Sequence, residues 1–295
     1  MEKIVFKKIF NHVSPNLTPA QSGFLPKHST ITQLLEIHHT IMKALDNRKE
    51  ILTCFLDISK AFDRVSHRAL IQKLRQLKID GNLLDWFIDY LSNRKQRVLV
   101  DGVHSSWRDV LAGIPQGSIL GPLLFLIFIN DIINDINCII RLFADDTSLI
   151  LPSINLDTDL DLMQNDLNRI SAWAKKWAVN FNSDKTKTLL ISRRTTPSHI
   201  DLTFDNSHLE LSSEHKHLGI TFNSSATWTN HLNEIITKAN KRLGILRNLK
   251  YTLDRDTLLI LYKTYVRSTL EYADCLWDNI PRAGLSMPAI GTDQC

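Results

Sequence analysis

Apolar positions along this chain recur at helical spacing, then at strand spacing, then at helical spacing again. Ser29 or Thr30 can cap a helix whose apolar residues are Ile31, Leu34, Leu35, His38, Ile41, Met42 and Leu45. Ile51 to Leu56 is a short apolar or β-prone run bounded by charge, which predicts a strand buried on both faces with Asp57 at its end. Leu70, Ile71, Leu74 and Leu77 mark a second helix, and Leu83, Leu84, Phe87 and Leu91 a third. Arg97 to Val100, the turn pair Asp101-Gly102 and Trp107 to Leu111 predict a hairpin, and an apolar helix follows Pro122.

Ile139 to Phe143 and Thr147 to Leu151 are separated only by Ala144-Asp145-Asp146, so they should pair as a tight hairpin with an acidic tip. Leu156, Leu160, Met163, Leu167, Ile170, Ala174 and Trp177 alternate steps of four and three, the pattern of an amphipathic helix that packs under a sheet. Strand-like runs return at Thr188 to Ile191, Leu202 to Phe204 and Leu218 to Phe222, with Asp205-Asn206 as turn chemistry. From His231 to Trp277 the pattern is helical. The fold class is therefore α+β, a sheet-containing domain followed by a small helical module, without an internal repeat.

Composition adds limits. With 43% hydrophobic and 22% charged residues in 295, the chain can bury a sizeable core and keep a solvated surface. Net charge is only +4, but Lys238, Lys241, Arg242, Arg247 and Lys250 follow one another with no acid between them, which suits a polyanionic partner. Alone, the same run reads first as a solvated helix face. Cys54, Cys138, Cys275 and Cys295 have neither zinc nor disulfide-framework spacing, so a reducing compartment is expected. Met1 to Phe10 lacks a signal-peptide cleavage pattern, and the apolar run Ile119 to Ile129, broken by Gly121 and Pro122, is too short to cross a bilayer. No membrane role is expected.

Three carboxylates carry the candidate chemistry. Asp57, Asp145 and Asp146 each fall at a strand end or hairpin tip, where a side chain is exposed above a rigid sheet. Clustered carboxylates raise one another's pKa, and a cation relieves the repulsion. Hard oxygen donors suit magnesium, and two such ions about 3.5–4 Å apart are what phosphoryl transfer uses to stabilise attacking and leaving oxygens. Taken alone, Asp145-Asp146 would be an ordinary polar turn.

The surrounding motifs change that. Phe55-Leu56-Asp57-Ile58-Ser59-Lys60-Ala61-Phe62-Asp63, Gly113-Ile114-Pro115-Gln116-Gly117-Ser118-Ile119-Leu120-Gly121-Pro122 and Phe143-Ala144-Asp145-Asp146 resemble, in order and spacing, the palm motifs of reverse transcriptases from non-LTR retrotransposons, jockey-like mobile elements in particular. The resemblance extends upstream through Gln21-Ser22-Gly23-Phe24-Leu25-Pro26 with Ser29-Thr30, and downstream through Asn182-Ser183-Asp184-Lys185-Thr186 and His217-Leu218-Gly219. It implies a right-hand polymerase fold: partial fingers over 1–50, a palm with a fingers insertion over 51–222, a helical thumb-like region over 223–280 and a disordered tail over 281–295.

The resemblance also implies roles. Asp57, Asp145 and Asp146 would bind two Mg2+ ions, with Mn2+ as an alternative and the backbone carbonyl of Ile58 assisting. Phe62 falls where the family places its sugar gate, so deoxynucleoside triphosphates are the expected substrates. Pro115 fixes the entry of a loop in which Gln116 and Gly117 would contact nucleotide and template. Lys185 matches a lysine that neutralises or protonates the leaving pyrophosphate, although Lys187, two residues on, would share its side of a strand. His217, Leu218 and Gly219 resemble the hairpin that grips the primer end, and the pair His215 and His217 lacks the third ligand a zinc site needs. Lys238, Lys241 and Arg242, with Arg247 and Lys250, would contact the primer-template backbone.

Partners implied are an RNA template, a DNA primer and deoxynucleoside triphosphates, in an intracellular setting, nucleus or cytoplasm. The resemblance begins at Met1 without the preceding basic fingers segment or a nuclease, and Leu25 stands where many relatives have arginine. A truncated, non-catalytic remnant that binds nucleic acid without turnover is thus the alternative expectation. A group II intron-type enzyme is a further one, weakened by the lack of a maturase-like extension.

Overall fold

A computed structural model describes residues 1–194 and 198–277 of the chain. The expected tail at 281–295 lies outside the described residues. The described residues fold as two compact units, one within Met1–Leu218 with Asn223–Ala226, and a second of Gly219–Phe222 with 227–277.

In the first unit, α1 (Glu2–Val13) is followed by α2 (Thr30–Asp46), which opens on a reciprocal cap. The Ser29 hydroxyl accepts from the Thr32 amide, and the Thr32 hydroxyl accepts from the Ser29 amide. The buried face of α2 is Gln33, Leu34, Ile37, Ile41, Ala44 and Leu45, so the expected apolar stripe is turned: Leu35 is exposed, and Ile37 and Ala44 take the inward positions. Strand β1 (Glu50–Leu56) is buried along its whole length, as its unbroken apolar run requires. Helices α3 (His67–Gln76) and α4 (Gly81–Leu91) follow.

Short strands β2 (Lys95–Gln96), β3 (Leu99–Val100), β4 (Val103–His104) and β5 (Arg108–Asp109) form a nested hairpin, β2 pairing β5 and β3 pairing β4. Its tip is Asp101-Gly102 with φ of 49° and 82°, the two positive values a two-residue turn uses to match strand twist. The hairpin strands are exposed, and the hairpin begins at Lys95 rather than Arg97. Helix α5 (Gly121–Ile129) is buried all round except at Pro122.

Strands β6 (Ile139–Phe143) and β7 (Asp146–Ser153) pair antiparallel, and α6 spans Leu156–Trp177, the bounds its periodicity predicts. Then come β8 (Lys187–Ile191), β9 (Thr203–Phe204), β10 (Ser207–His208), β11 (Glu210–Ser212) and β12 (Glu214–His217). The main sheet has the order β11-β8-β1-β7-β6, with β11 parallel to β8 and the other pairs antiparallel. Leu52, Cys54 and Leu56 of the central strand join one core with Leu142, Leu149, Met163, Leu167, Ile170 and α5, so α6 does pack against the sheet.

Beneath this core, Lys73 of α3 is 3% exposed. Its ammonium donates to the Phe128 carbonyl and meets Asp131 Oδ1 at 2.5 Å, inside a ring of Phe128, Trp173 and Trp177 with centroids 4.8, 4.9 and 4.2 Å away. Burial pushes its pKa down to about 8, against the pull of Asp131.

The second unit contains β13 (Ile220–Asn223) as far as Phe222, α7 (Thr229–Leu249), α8 (Arg255–Leu261) and a π-helical stretch, Tyr262–Arg267. The expected strand from Leu218 begins instead at Ile220, because Leu218 and Gly219 have φ of 46° and 86° and form a turn.

Candidate active site

Hydrogen-bonded strands bring the acidic residues together. In the β1–β7 ladder Leu56 lies opposite Thr147, and in the β6–β7 ladder Phe143 lies opposite Asp146. The first ladder ends there, so Asp57 follows β1 at the same end of the sheet where Asp146 opens β7. Only Ala144 and Asp145 remain in the turn, so Asp146 begins β7 instead of belonging to a three-residue tip. Ala144 holds φ 55°, a left-handed conformation that costs a non-glycine residue about 1–2 kcal/mol.

Electrostatics agree with that register. Burial raises the pKa of Asp145, and the charge of Asp57 raises it further. Asp146 is pushed up to about 6 by burial, then by Asp145 and Asp57. Asp146 nevertheless keeps solvent at its side chain, which screens part of that repulsion. Among the described residues, no three His, Cys, Asp or Glu side chains are already gathered as a metal cage. The donor set itself, carboxylate oxygens in mutual repulsion, fits a hard divalent cation.

The backbone of Asp57 is held by the loop after α6. Asn182 N–H donates to the Asp57 carbonyl at 2.8 Å, Ser59 N–H donates to the Asn180 carbonyl at 2.9 Å, and Ile58 bridges Phe181. This loop carries Lys185, whose Nζ is 3.8 Å from Asp57 Oδ2. Lys187 does not share its side: it opens β8 and pairs with Glu210. The turn at Ser183–Lys185 separates the two lysines, which a single continuous strand would have aligned.

Phe62 is half-buried, stacked on Phe125 with centroids 4.5 Å apart and met edge-on by Phe24 at 5.8 Å. Its carbonyl accepts from Ile114 N–H at 2.9 Å, and Gly113 N–H donates to the Val65 carbonyl at 2.8 Å, which ties this segment to the Pro115-Gln116-Gly117 loop. Gln116 Nε2 donates to Asp63 Oδ1 at 2.7 Å. Gly117 has φ 78° and nothing within 4 Å of where a Cβ would stand, so that backbone faces open space.

His217 is 4% exposed, its ring 5.0 Å from Phe55, and His215 stacks on Phe55 at 4.0 Å. The two histidines flank one ring, and the imidazole of His217 offers no open face to a ligand. Burial lowers His215 to about 4, with help from Lys187, and His217 to about 3, with help from His215. Both are neutral in the fold while the unfolded chain protonates near 6.5, so stability is lost as pH falls below that value. His217→Phe should remove its share, about 2 kcal/mol at pH 5, and thermal melts from pH 7 to 4 would show a shallower fall than wild type. An unchanged slope would mean His217 titrates normally.

In the second unit, Lys238, Lys241, Arg247 and Lys250 are exposed on or at the end of α7. Arg242 differs: its guanidinium donates to the Tyr265 carbonyl at 2.7 Å and to the Thr269 hydroxyl, fastening α7 to the following helices. It is engaged within its unit rather than presented with the other bases.

Gln21, Phe24 and Asn182 carry no role in the sequence motifs, although each contacts a candidate site residue or its neighbour. Gln21 Oε1 accepts from Ala144 N–H at 2.9 Å and from Gly23 N–H at 2.7 Å, and Asn182 holds Asp57. Their motifs were visible, but the contacts join segments far apart in the chain.

A family model described as reverse transcriptase (RNA-dependent DNA polymerase) matches residues 1–222. The RNA-directed DNA polymerase from mobile element jockey of Drosophila funebris is 30% identical over 292 residues, 92% of this chain and 31% of that protein. The probable RNA-directed DNA polymerase from transposon BS of Drosophila melanogaster is 29% identical over 250 residues, 82% of this chain and 27% of that protein. The chain thus spans about a third or less of the length of these relatives. Among solved structures, apo telomerase of Candida tropicalis truncated from its C-terminal domain matches with a TM-score of 0.52 at 14% identity, over 75% of this chain and 43% of that one. At that identity the likeness speaks for the fold, a polymerase fold of mixed helix and sheet. With motifs in order and a family match over 222 of 295 residues, the chain belongs to the reverse transcriptase (RNA-dependent DNA polymerase) family.

Proposed function

We propose that this chain is the polymerase core of a retrotransposon-type RNA-directed DNA polymerase, adding deoxynucleotides to a DNA primer 3′-OH along an RNA template. The observation that supports this most is the end of the β1–β7 ladder at Leu56–Thr147, which leaves Asp57 near Asp146 and Asp145, close enough for its charge to raise the pKa of both. Those three carboxylates would hold two divalent cations, Mg2+ or Mn2+, which when bound supply charge stabilisation for the attacking and leaving oxygens. Lys185, exposed and 3.8 Å from Asp57, is suited to neutralise the departing pyrophosphate.

Phe62 closes the sugar side against a ribose 2′-hydroxyl, while exposed Gln116 and the open Gly117 backbone meet nucleotide and template. The turn at Leu218-Gly219 meets the primer end, with His217 supporting it from the core. Exposed Lys238 and Lys241 contact the nucleic-acid backbone in a sequence-independent, salt-sensitive way, and Arg242 orders the helix that carries them. In this reading residues 1–50 are partial fingers, 51–222 the palm with its fingers insertion and 223–280 a thumb, acting in the nucleus or cytoplasm. Among the described residues no helix is long and apolar enough to cross a membrane.

Primer extension with purified protein on a poly(rA) template, with Mg2+ and Mn2+ titrated, tests the reading. Incorporation of dTTP is expected. Salt-sensitive duplex binding with no incorporation at any metal or salt concentration would replace it with a non-catalytic nucleic-acid binder.

A further inference from the structure

We propose that Phe24 determines sugar specificity by holding the ring of Phe62, and that Gln21 ties Phe24 to the acidic turn. The inference rests on the reading of Phe62 as the sugar gate and adds a residue that the gate depends on.

The strap Ala20–Phe24 runs beside β6. Leu142 N–H donates to the Ala20 carbonyl and Ser22 N–H to the Leu142 carbonyl, both at 2.9 Å, with Gln21 bridging Leu142 in parallel. The Gln21 carboxamide, 2% exposed, then grips the turn from its side chain. It accepts from Gly23 and Ala144 amides and donates to the Ala144 carbonyl at 3.4 Å. Gly23 is packed so closely on Ala144 that a Cβ would stand 2.2 Å from the Ala144 nitrogen. The strap cannot shift without shifting the residue that precedes Asp145.

Phe24 follows at once, in the left-handed region with φ 58° and with 51% of its surface exposed. A half-exposed ring on a strained backbone contributes little to the core, yet its edge meets Phe62 at 88°. Phe62 is also stacked at 20° on Phe125, itself 1% exposed and fixed in α5. The ring of Phe62 is therefore held by one neighbour buried in the core and by another tied to the acidic turn. Excluding a 2′-hydroxyl demands a ring that does not swing aside, and an edge-to-face contact biases ring position by about two- to tenfold.

The test compares dTTP and UTP on oligo(dT)-primed poly(rA) with the full chain. In Phe24→Ala the ratio of their kcat/KM values should fall by about tenfold, in Phe24→Leu by less, and in Phe24→Tyr it should stay near wild type. The fall should come from a higher kcat/KM for UTP. A residue that merely supports the fold would lower both substrates together, and an unchanged ratio in Phe24→Ala overturns the proposal. The same ratio read as binding, from the nucleotide concentration that stabilises the protein complex on a dideoxy-terminated primer, applies with or without turnover. Phe62→Ala separates the two layers. If it leaves the ratio unchanged, the gate reading fails and Phe24 with it. If it lowers the ratio while Phe24→Ala does not, only the role of Phe24 is lost.

Discussion

Asp145→Asn is expected to lower primer extension by about 10²–10³-fold or more while raising the melting temperature of the metal-free protein at pH 7.5. The amide keeps the shape and removes the charge that a cation would use. Stability moves the other way because Asp145 and Asp146 have raised pKa values, through burial first and neighbouring carboxylate charges second. A carboxyl whose folded pKa is raised holds its proton more tightly in the fold, so its contribution falls as pH climbs from near 4 through about 6. Removing one of the charges returns part of that loss. After allowance for solvent screening, the gain is about 1 kcal/mol, or about 2–4 °C in Tm at pH 7.5, and should vanish at pH 4. Mg2+ should stabilise wild type at pH 7.5 more than the variant. A variant with wild-type extension, or with a lower Tm at pH 7.5, would contradict the electrostatic account.

Gly23→Ala should be the most damaging single methyl group in the first unit. The added Cβ would lie 2.2 Å from the Ala144 nitrogen, 2.9 Å from the Phe143 carbonyl carbon and 3.0 Å from the Ala144 Cα. All three are backbone atoms, so no side chain can rotate away and the strap or the turn must move. Overpacking of this kind costs about 3 kcal/mol, a Tm loss of roughly 6–12 °C. Extension should fail as well, because the displaced turn carries Asp145. Gly117→Ala makes the useful contrast: its Cβ would meet nothing within 4 Å, but φ 78° disfavours any side chain. That change should cost only about 1–2 kcal/mol. Melts and extension assays on both proteins decide the matter, and a Gly23→Ala protein with wild-type Tm would show that the close approach is not maintained in solution.

Local patterns carried most of the secondary structure. The unbroken apolar run of β1, the alternating steps of α6 and the turn pairs Asp101-Gly102 and Asp205-Asn206 each express a constraint between near neighbours, and such constraints are written in the sequence. The structure departs from those patterns where a distant partner decides. Leu35 has helical apolar spacing but faces water, while Ile37 and Ala44 take the buried face. Leu218 reads as the start of a strand, yet takes the turn. Arg242 reads as one base among five, while its guanidinium finds Tyr265 and Thr269. At the candidate site the candidacy of the three aspartates was legible from motif order. The grip of Gln21 on Ala144 was not, since no spacing rule links residues 123 positions apart.

The strand order has a consequence for synthesis. β1 is the middle strand, and its partners arrive late: Phe55 pairs with Ser148, 93 residues on (148 − 55), and with Lys187, 132 residues on (187 − 55). A growing chain must therefore carry Ile51–Leu56 unpaired until most of the first unit has left the ribosome. Such long-range closure is slow and leaves an adhesive segment open to other chains. The acidic site forms only when that closure is made, so a product terminated before β7 would keep the aggregation hazard and lack the carboxylate cluster.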